Sequence, residues 1–157
     1  MHLPELEHPR LTCADFSFNE KVVFALGGTN ENVTYHSVDE LYVLTPTFWT
    51  QTGLSASEEF ADKVEMCAIQ ISSEEVLLFG GFYNLKNKNK DAKVSYILTI
   101  SAEGIKWKAA PDLVNEGAFY YSSAPVYDVK CVYGVDYAKN IHIYSLPQQK
   151  WAVVASK

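Results

Sequence analysis

The histidines and cysteines are the residues best suited to metal or nucleophilic chemistry here. His2, His8, His36 and His142 are scattered, without the close pairing that a metal site requires. His142 alternates with Ile141 and Ile143, the pattern of a strand histidine satisfied by its surroundings. Cys13, Cys67 and Cys131 form an odd set with no CxxC spacing. Cys13 and Cys67 each precede a glycine pair by a similar distance. Both read as one repeat position, a small buried residue on a first strand. Reduced core thiols follow, and with them a reducing compartment, most simply the cytosol. The carboxylate pairs Glu58-Glu59 and Glu74-Glu75 fall in expected loops and read as solvated side chains, not an acid–base dyad. No GxSxG, HExxH or phosphate-loop pattern occurs. The residues predict a chain that is not an enzyme, with no catalytic residue, metal or cofactor.

Recognition chemistry has one candidate. Residues 82–93 (FYNLKNKNKDAK) place Lys86, Lys88, Lys90 and Lys93 against a single acid, Asp91, in a chain of net charge −6. Tyr83 and Leu85 add apolar contact beside that charge. The segment predicts a loop that meets an acidic protein surface, against the plain alternative of a solvated lysine loop.

The elements that would position this loop repeat. Residues 22–28 (VVFALGG) return as residues 76–81 (VLLFGG), with Gly27-Gly28 and Gly80-Gly81 lying 53 positions apart. Behind each pair stand a second apolar run and a tryptophan: residues 41–44 with Trp49, then residues 94–100 with Trp107. A degraded third copy has residues 131–135 (CVYGV), with Gly134 where a glycine pair stood, then residues 141–146 and Trp151. Each unit reads as four short strands: 11–18, 21–26, 38–44 and 48–52; then 63–72, 75–79, 93–100 and 105–109; then 118–127, 131–133, 139–146 and 150–155. Roughly fifty residues of short strands per repeat signals a propeller or similar array. Glycine after an apolar strand predicts positive φ or a close backbone approach.

Apolar run, glycine pair, polar loop, short strand, turn and tryptophan together resemble the kelch repeat, one four-stranded blade of a β-propeller. The best local match is IYSLPQQKW, with Tyr144 seven residues before Trp151. The first unit departs with a shorter turn before Trp49, and the third by losing one glycine. The resemblance implies an all-β chain forming a single partial propeller over residues 1–157, with blades near 10–53, 63–110 and 118–156. Trp49, Trp107 and Trp151 then pack at seams between blades. A closed propeller needs at least about four blades. Residues 1–10 resemble the loop after a blade's tryptophan, so further blades are expected from a longer chain or another chain. A lone, stable monomer is not expected, because an open end exposes strand edges and seams.

By analogy of fold, the implied function is a protein-binding or scaffold module, with cytoskeletal association suggested by the family alone. The rivals are a purely structural subunit of a large complex, and an enzyme acting at the propeller axis. Kelch-type propellers include copper oxidases resembling galactose oxidase and sialic acid mutarotases. The copper site needs converging Tyr, His and Cys ligands, and the sequence identifies no such set.

Composition narrows the partners. The chain has 157 residues, 48% of them hydrophobic and 20% charged, enough for a real core. Acidic charge argues against nucleic acid, which wants a basic surface. No apolar run approaches the roughly eighteen residues of a membrane span. MHLPELEHPR lacks the layout of a secretory signal. Short turns at 19–20, 45–47, 73–74, 101–104 and 147–149 should share one end of the units. Longer loops at 29–37, 53–62, 82–92 and 111–117 should share the other end, where binding tends to sit.

Overall fold

A computed structural model describes residues 10–11, 14–19, 22–26, 29–30, 40–44, 49–55, 63–64, 66–83, 93–101, 104–115 and 125–155. For residues 10–15, 22–55, 63–64, 82–83 and 104–105 within that set it describes the backbone alone. The described residues contain strands and no helix. The first unit holds β1 (Arg10–Leu11), β2 (Ala14–Phe18), β3 (Val22–Leu26), β4 (Thr29–Asn30), β5 (Glu40–Leu44) and β6 (Trp49–Ser55). The second holds β7 (Lys63–Val64), β8 (Cys67–Gln70), β9 (Glu75–Phe79), β10 (Phe82–Tyr83), β11 (Ser95–Ser101) and β12 (Gly104–Ala110). The third holds β13 (Val126–Asp128), β14 (Cys131–Val135), β15 (Ile141–Ser145) and β16 (Lys150–Val154).

Three antiparallel four-stranded sheets result: β2-β3-β5-β6, β8-β9-β11-β12 and β13-β14-β15-β16. The backbone register repeats with the sequence. Ala14 pairs Leu26 in the first sheet, and 53 positions later Cys67 pairs Phe79 in the second. Ala14, not Cys13, therefore holds the place of Cys67. A slip of one residue exchanges the two faces of a strand, so the two cysteines are not one repeat position. Tryptophan recurs opposite the third strand: Trp49 opposite Leu44, Trp107 opposite Leu98 and Trp151 opposite Tyr144.

Two other expectations change. The first strands of units one and two are each broken. Their leading residues, β1 and β7, leave the main sheet and pair with β4 and β10. Gly80 and Gly81 make this possible: at φ of 71° and 81° they turn the chain out of β9 and into β10. Residues 53–55, expected as connection, extend β6 to Ser55. Of the expected strand at 118–127 the structure describes only its end, in β13; residues 118–124 lie outside the described residues.

Two cores separate the sheets. Phe16 and Phe18 of the first sheet pack with Val76, Leu78, Tyr96 and Leu98 of the second, and Trp107 packs against this cluster. Leu77, Phe79 and Ile97, on the opposite face of the second sheet, pack with Val132, Tyr144 and Trp151 of the third. The middle sheet is covered on both faces. That is why β9 is a continuous apolar run in which Val76, Leu77, Leu78 and Phe79 all fall to 0% exposure. Burying those four side chains contributes about 6–12 kcal/mol, an upper figure against an extended unfolded chain. β14 and β15 instead alternate buried and exposed residues, because only one face of the third sheet is covered.

Turns between first and second strands gather at one end. Asn19, at φ 51°, donates its backbone amide to Gln70 Oε1 at 2.8 Å, and its Oδ1 accepts from Gln70 Nε2 at 2.7 Å. Its amide group also donates to the Ser73 carbonyl at 3.2 Å. The turn of the first sheet is thus tied to the turn of the second. Ile100 N donates to Glu74 O, and Leu146 N to Lys130 O, which brings the other hairpin turns to the same end.

Candidate functional site

The seam between the second and third sheets has the most specific chemistry. Trp151 lies between Phe79 and Tyr144, with ring centroids 5.0 Å away in each case and tilted planes. Its Nε1–H donates to Ser95 Oγ at 3.3 Å, and that hydroxyl donates to the Pro111 carbonyl at 2.6 Å. A large apolar ring with one polar atom is fully accommodated, so the position selects tryptophan. Burial, and then the charge of Glu75, push the Tyr144 hydroxyl above its ordinary range.

At the far end of that seam the sequence reading missed a buried ionisable pair. Register places Asp136 and Tyr137, not Gly134 and Val135, where Gly80 and Gly81 stand, because Val132 opposite Tyr144 matches Val76 opposite Leu98. Gly134 lies inside β14, opposite His142. Asp136 Oδ2 lies 2.8 Å from His142 Nε2 and accepts from Asn140 Nδ2 at 2.9 Å; Oδ1 accepts the Asn140 amide at 2.8 Å. Burial works to raise the Asp136 pKa. Bonds to His142 and Asn140 outweigh it and hold the carboxyl below its usual range. An Asp–His pair can move protons, yet His142 is 0% and Asp136 7% exposed. Both groups are buried, and through Asn140 the pair clamps the β14–β15 turn. The signal was available in DYAKN, whose Asp and Asn favour a side-chain-closed turn.

A cleft of about 210 Å³ opens beside the same seam, lined in part by Ile71, Glu75, Ile97, Lys108, Tyr144 and Gln149. Lys108 Nζ meets Glu75 Oε1 at 3.2 Å, but both side chains are solvated and the pair contributes little.

The second candidate is the outer face of the third sheet. Its strands pair Val135 with Ile141 and Ile141 with Val154, then Tyr133 with Ile143 and Ile143 with Ala152. Val135 is 44%, Ile141 41% and Val154 52% exposed, and Val126 beside Tyr133 is 62% exposed. This is a contiguous apolar rectangle turned to solvent. One rim is fixed by Asp128. It accepts the Lys130 and Cys131 amides at 3.1 and 3.0 Å and the Tyr133 hydroxyl at 3.1 Å. Those bonds, the Lys130 amide foremost, lower the Asp128 pKa, and the bond to Asp128 raises that of Tyr133.

Of the lysine segment, Lys93 is exposed and its carbonyl accepts the Leu113 amide at 2.7 Å. Tyr83 is described by its backbone in β10, while Leu85, Lys86, Lys88 and Lys90 lie outside the described residues. So do Gly27, Gly28, Cys13, His2, His8 and His36. Cys67 and Cys131 form no disulfide, and Cys67 is buried. Among the described residues no three His, Cys, Asp or Glu side chains gather as a metal site would require, and no helix is long and apolar enough to cross a membrane. Compared with known proteins, the sequence matches no family model, and no curated protein matches it.

Proposed function

We propose that the chain is a non-enzymatic protein-binding or scaffold module of the kelch-propeller type, its three sheets acting as consecutive blades. The observation that carries the reading is the open apolar face of the third sheet, where Val126, Val135, Ile141 and Val154 stand exposed together. Scattered surface hydrophobes are ordinary, but a contiguous sheet face of this composition belongs to an interface. The register repeat and the tryptophan opposite each third strand support the kelch-type assignment. Cys67 and Cys131, which form no disulfide, fit a reducing compartment, the cytoplasm in the simplest case. The lysine segment at 82–93 is proposed as a second contact, suited to an acidic partner surface.

Pairing Val135→Lys with Ile141→Lys tests the reading. These positions are exposed, so far-UV circular dichroism should be unchanged. Affinity capture from native extract, quantified against the wild-type chain, should lose its stoichiometric protein partners. Identical recovery by the variant would remove the face as the binding surface.

A further inference from the structure

The open face of the third sheet has a counterpart already covered within the molecule. Tyr133, Val135 and Ile143 hold the register positions of Leu77, Phe79 and Ile97. In the second sheet those residues are 0%, 0% and 6% exposed, because the third sheet lies on them. The third sheet therefore repeats a docking face, and what docks on such a face is specified twice. In both seams it is the tryptophan-bearing face of the following sheet: Trp107 against the first seam, Trp151 within the second.

A third register row of that kind exists in the chain. Trp49 stands opposite Leu44 in the first sheet, as Trp107 stands opposite Leu98. Val23 and Ala25 occupy the positions of Val76 and Leu78, 53 residues earlier. The first sheet meets the second through Phe16 and Phe18, which belong to the alternate row. The second sheet stands between the first and the third, so a chain cannot join its own two ends across it. We propose that the open face of the third sheet docks on the Trp49-bearing row of the first sheet in a second copy of this chain. The contact is head to tail. It joins unlike surfaces and leaves one of each for a further copy or for closure of a ring.

The inference rests on the protein-binding reading of this face, and narrows its partner to the chain itself. Sedimentation velocity from about 1 to 100 μM, spanning usual weak-to-moderate affinities, is the test. The wild-type chain should move from 17.6 kDa to multiples of that mass. Val135→Lys with Ile141→Lys should weaken association at least ~100-fold, because burying lysine in place of an apolar side chain costs more than a pairing with Asp15, which stands opposite Ala25, returns. Ala25→Lys, on the opposing row, should also stay at single-chain mass. Mixing the two variants should restore a two-chain species, since one intact contact remains between them. A wild-type chain that stays at 17.6 kDa throughout overturns the proposal. So does a face variant that associates like wild type, or an Ala25→Lys variant that still pairs with itself, which would mean a symmetric contact. If self-association fails while capture of another protein still depends on Val135 and Ile141, the broader reading survives and only this one falls.

Discussion

Trp151 and Ser95 hold the second seam together, and a double-mutant cycle measures how. Trp151→Ala removes a buried ring packed on Phe79 and Tyr144 and should cost about 3–5 kcal/mol, as large aromatic truncations do. That figure is large against a domain stability of about 5–15 kcal/mol, so the milder Trp151→Phe is the useful partner. It keeps most of the apolar area and removes the Nε1–H, at about 1–3 kcal/mol. Ser95→Ala strands two groups at once, the indole N–H and the Pro111 carbonyl, and should cost about 1–3 kcal/mol. The double variant has lost both ends of the indole bond. Its cost should fall short of the sum by about 0.5–1.5 kcal/mol, the net value of that bond. Equilibrium urea unfolding followed by far-UV circular dichroism avoids the altered tryptophan fluorescence, and unchanged m-values would license the comparison. Strict additivity within about 0.3 kcal/mol would refute the bond as a seam determinant.

Other expectations are as direct. The Asp136 carboxyl is held below its unfolded pKa, so its stabilisation is present above the ordinary carboxylate range and is lost as pH falls through the folded value. Asp136→Asn should flatten the acid limb of stability against pH between about 5 and 2, and an unchanged limb would exclude Asp136 as its source. Gly80→Ala must place a Cβ at φ 71° and should cost about 1–2 kcal/mol in urea unfolding; a neutral result would deny that the turn needs glycine. Reversing Lys86, Lys88 and Lys90 to glutamate should slow partner association, chiefly at low salt, with stability unchanged. Identical association rates in stopped flow would eliminate that segment as a contact.

The sheet pattern was legible because apolar runs, glycine pairs and tryptophans are strong local signals. Residues 75–79 and 141–145 became strands close to where alternation and burial placed them. The errors arose where face and register decide. Cys13 lay one residue from the repeat position, a difference invisible until Ala14 was seen opposite Leu26. Gly134 looked like the remnant of a glycine pair, but glycine inside β14 leaves room opposite His142, and an aspartate closes the turn instead. The Asn19–Gln70 and Trp151–Ser95 bonds join residues 51 and 56 positions apart, and no local pattern marks such partners. The open face was obscured for a similar reason: nothing local to Val135, Ile141 and Val154 marks which side of their sheet lacks a cover.

The two-sided burial of the middle sheet also sets an order of events during synthesis. Residues 76–79 (VLLF) combine high strand propensity with no charge, the composition of an aggregation-prone segment. One side of that strand can be covered as soon as the second unit leaves the ribosome, since the first sheet precedes it. The other side waits for Val132, Tyr144 and Trp151. At ordinary elongation rates, the roughly fifty to seventy residues between them take about 3–15 s. For that interval Leu77 and Phe79 face the surroundings on a nascent chain. A delay near residues 110–125 would lengthen the exposure without touching a single native contact.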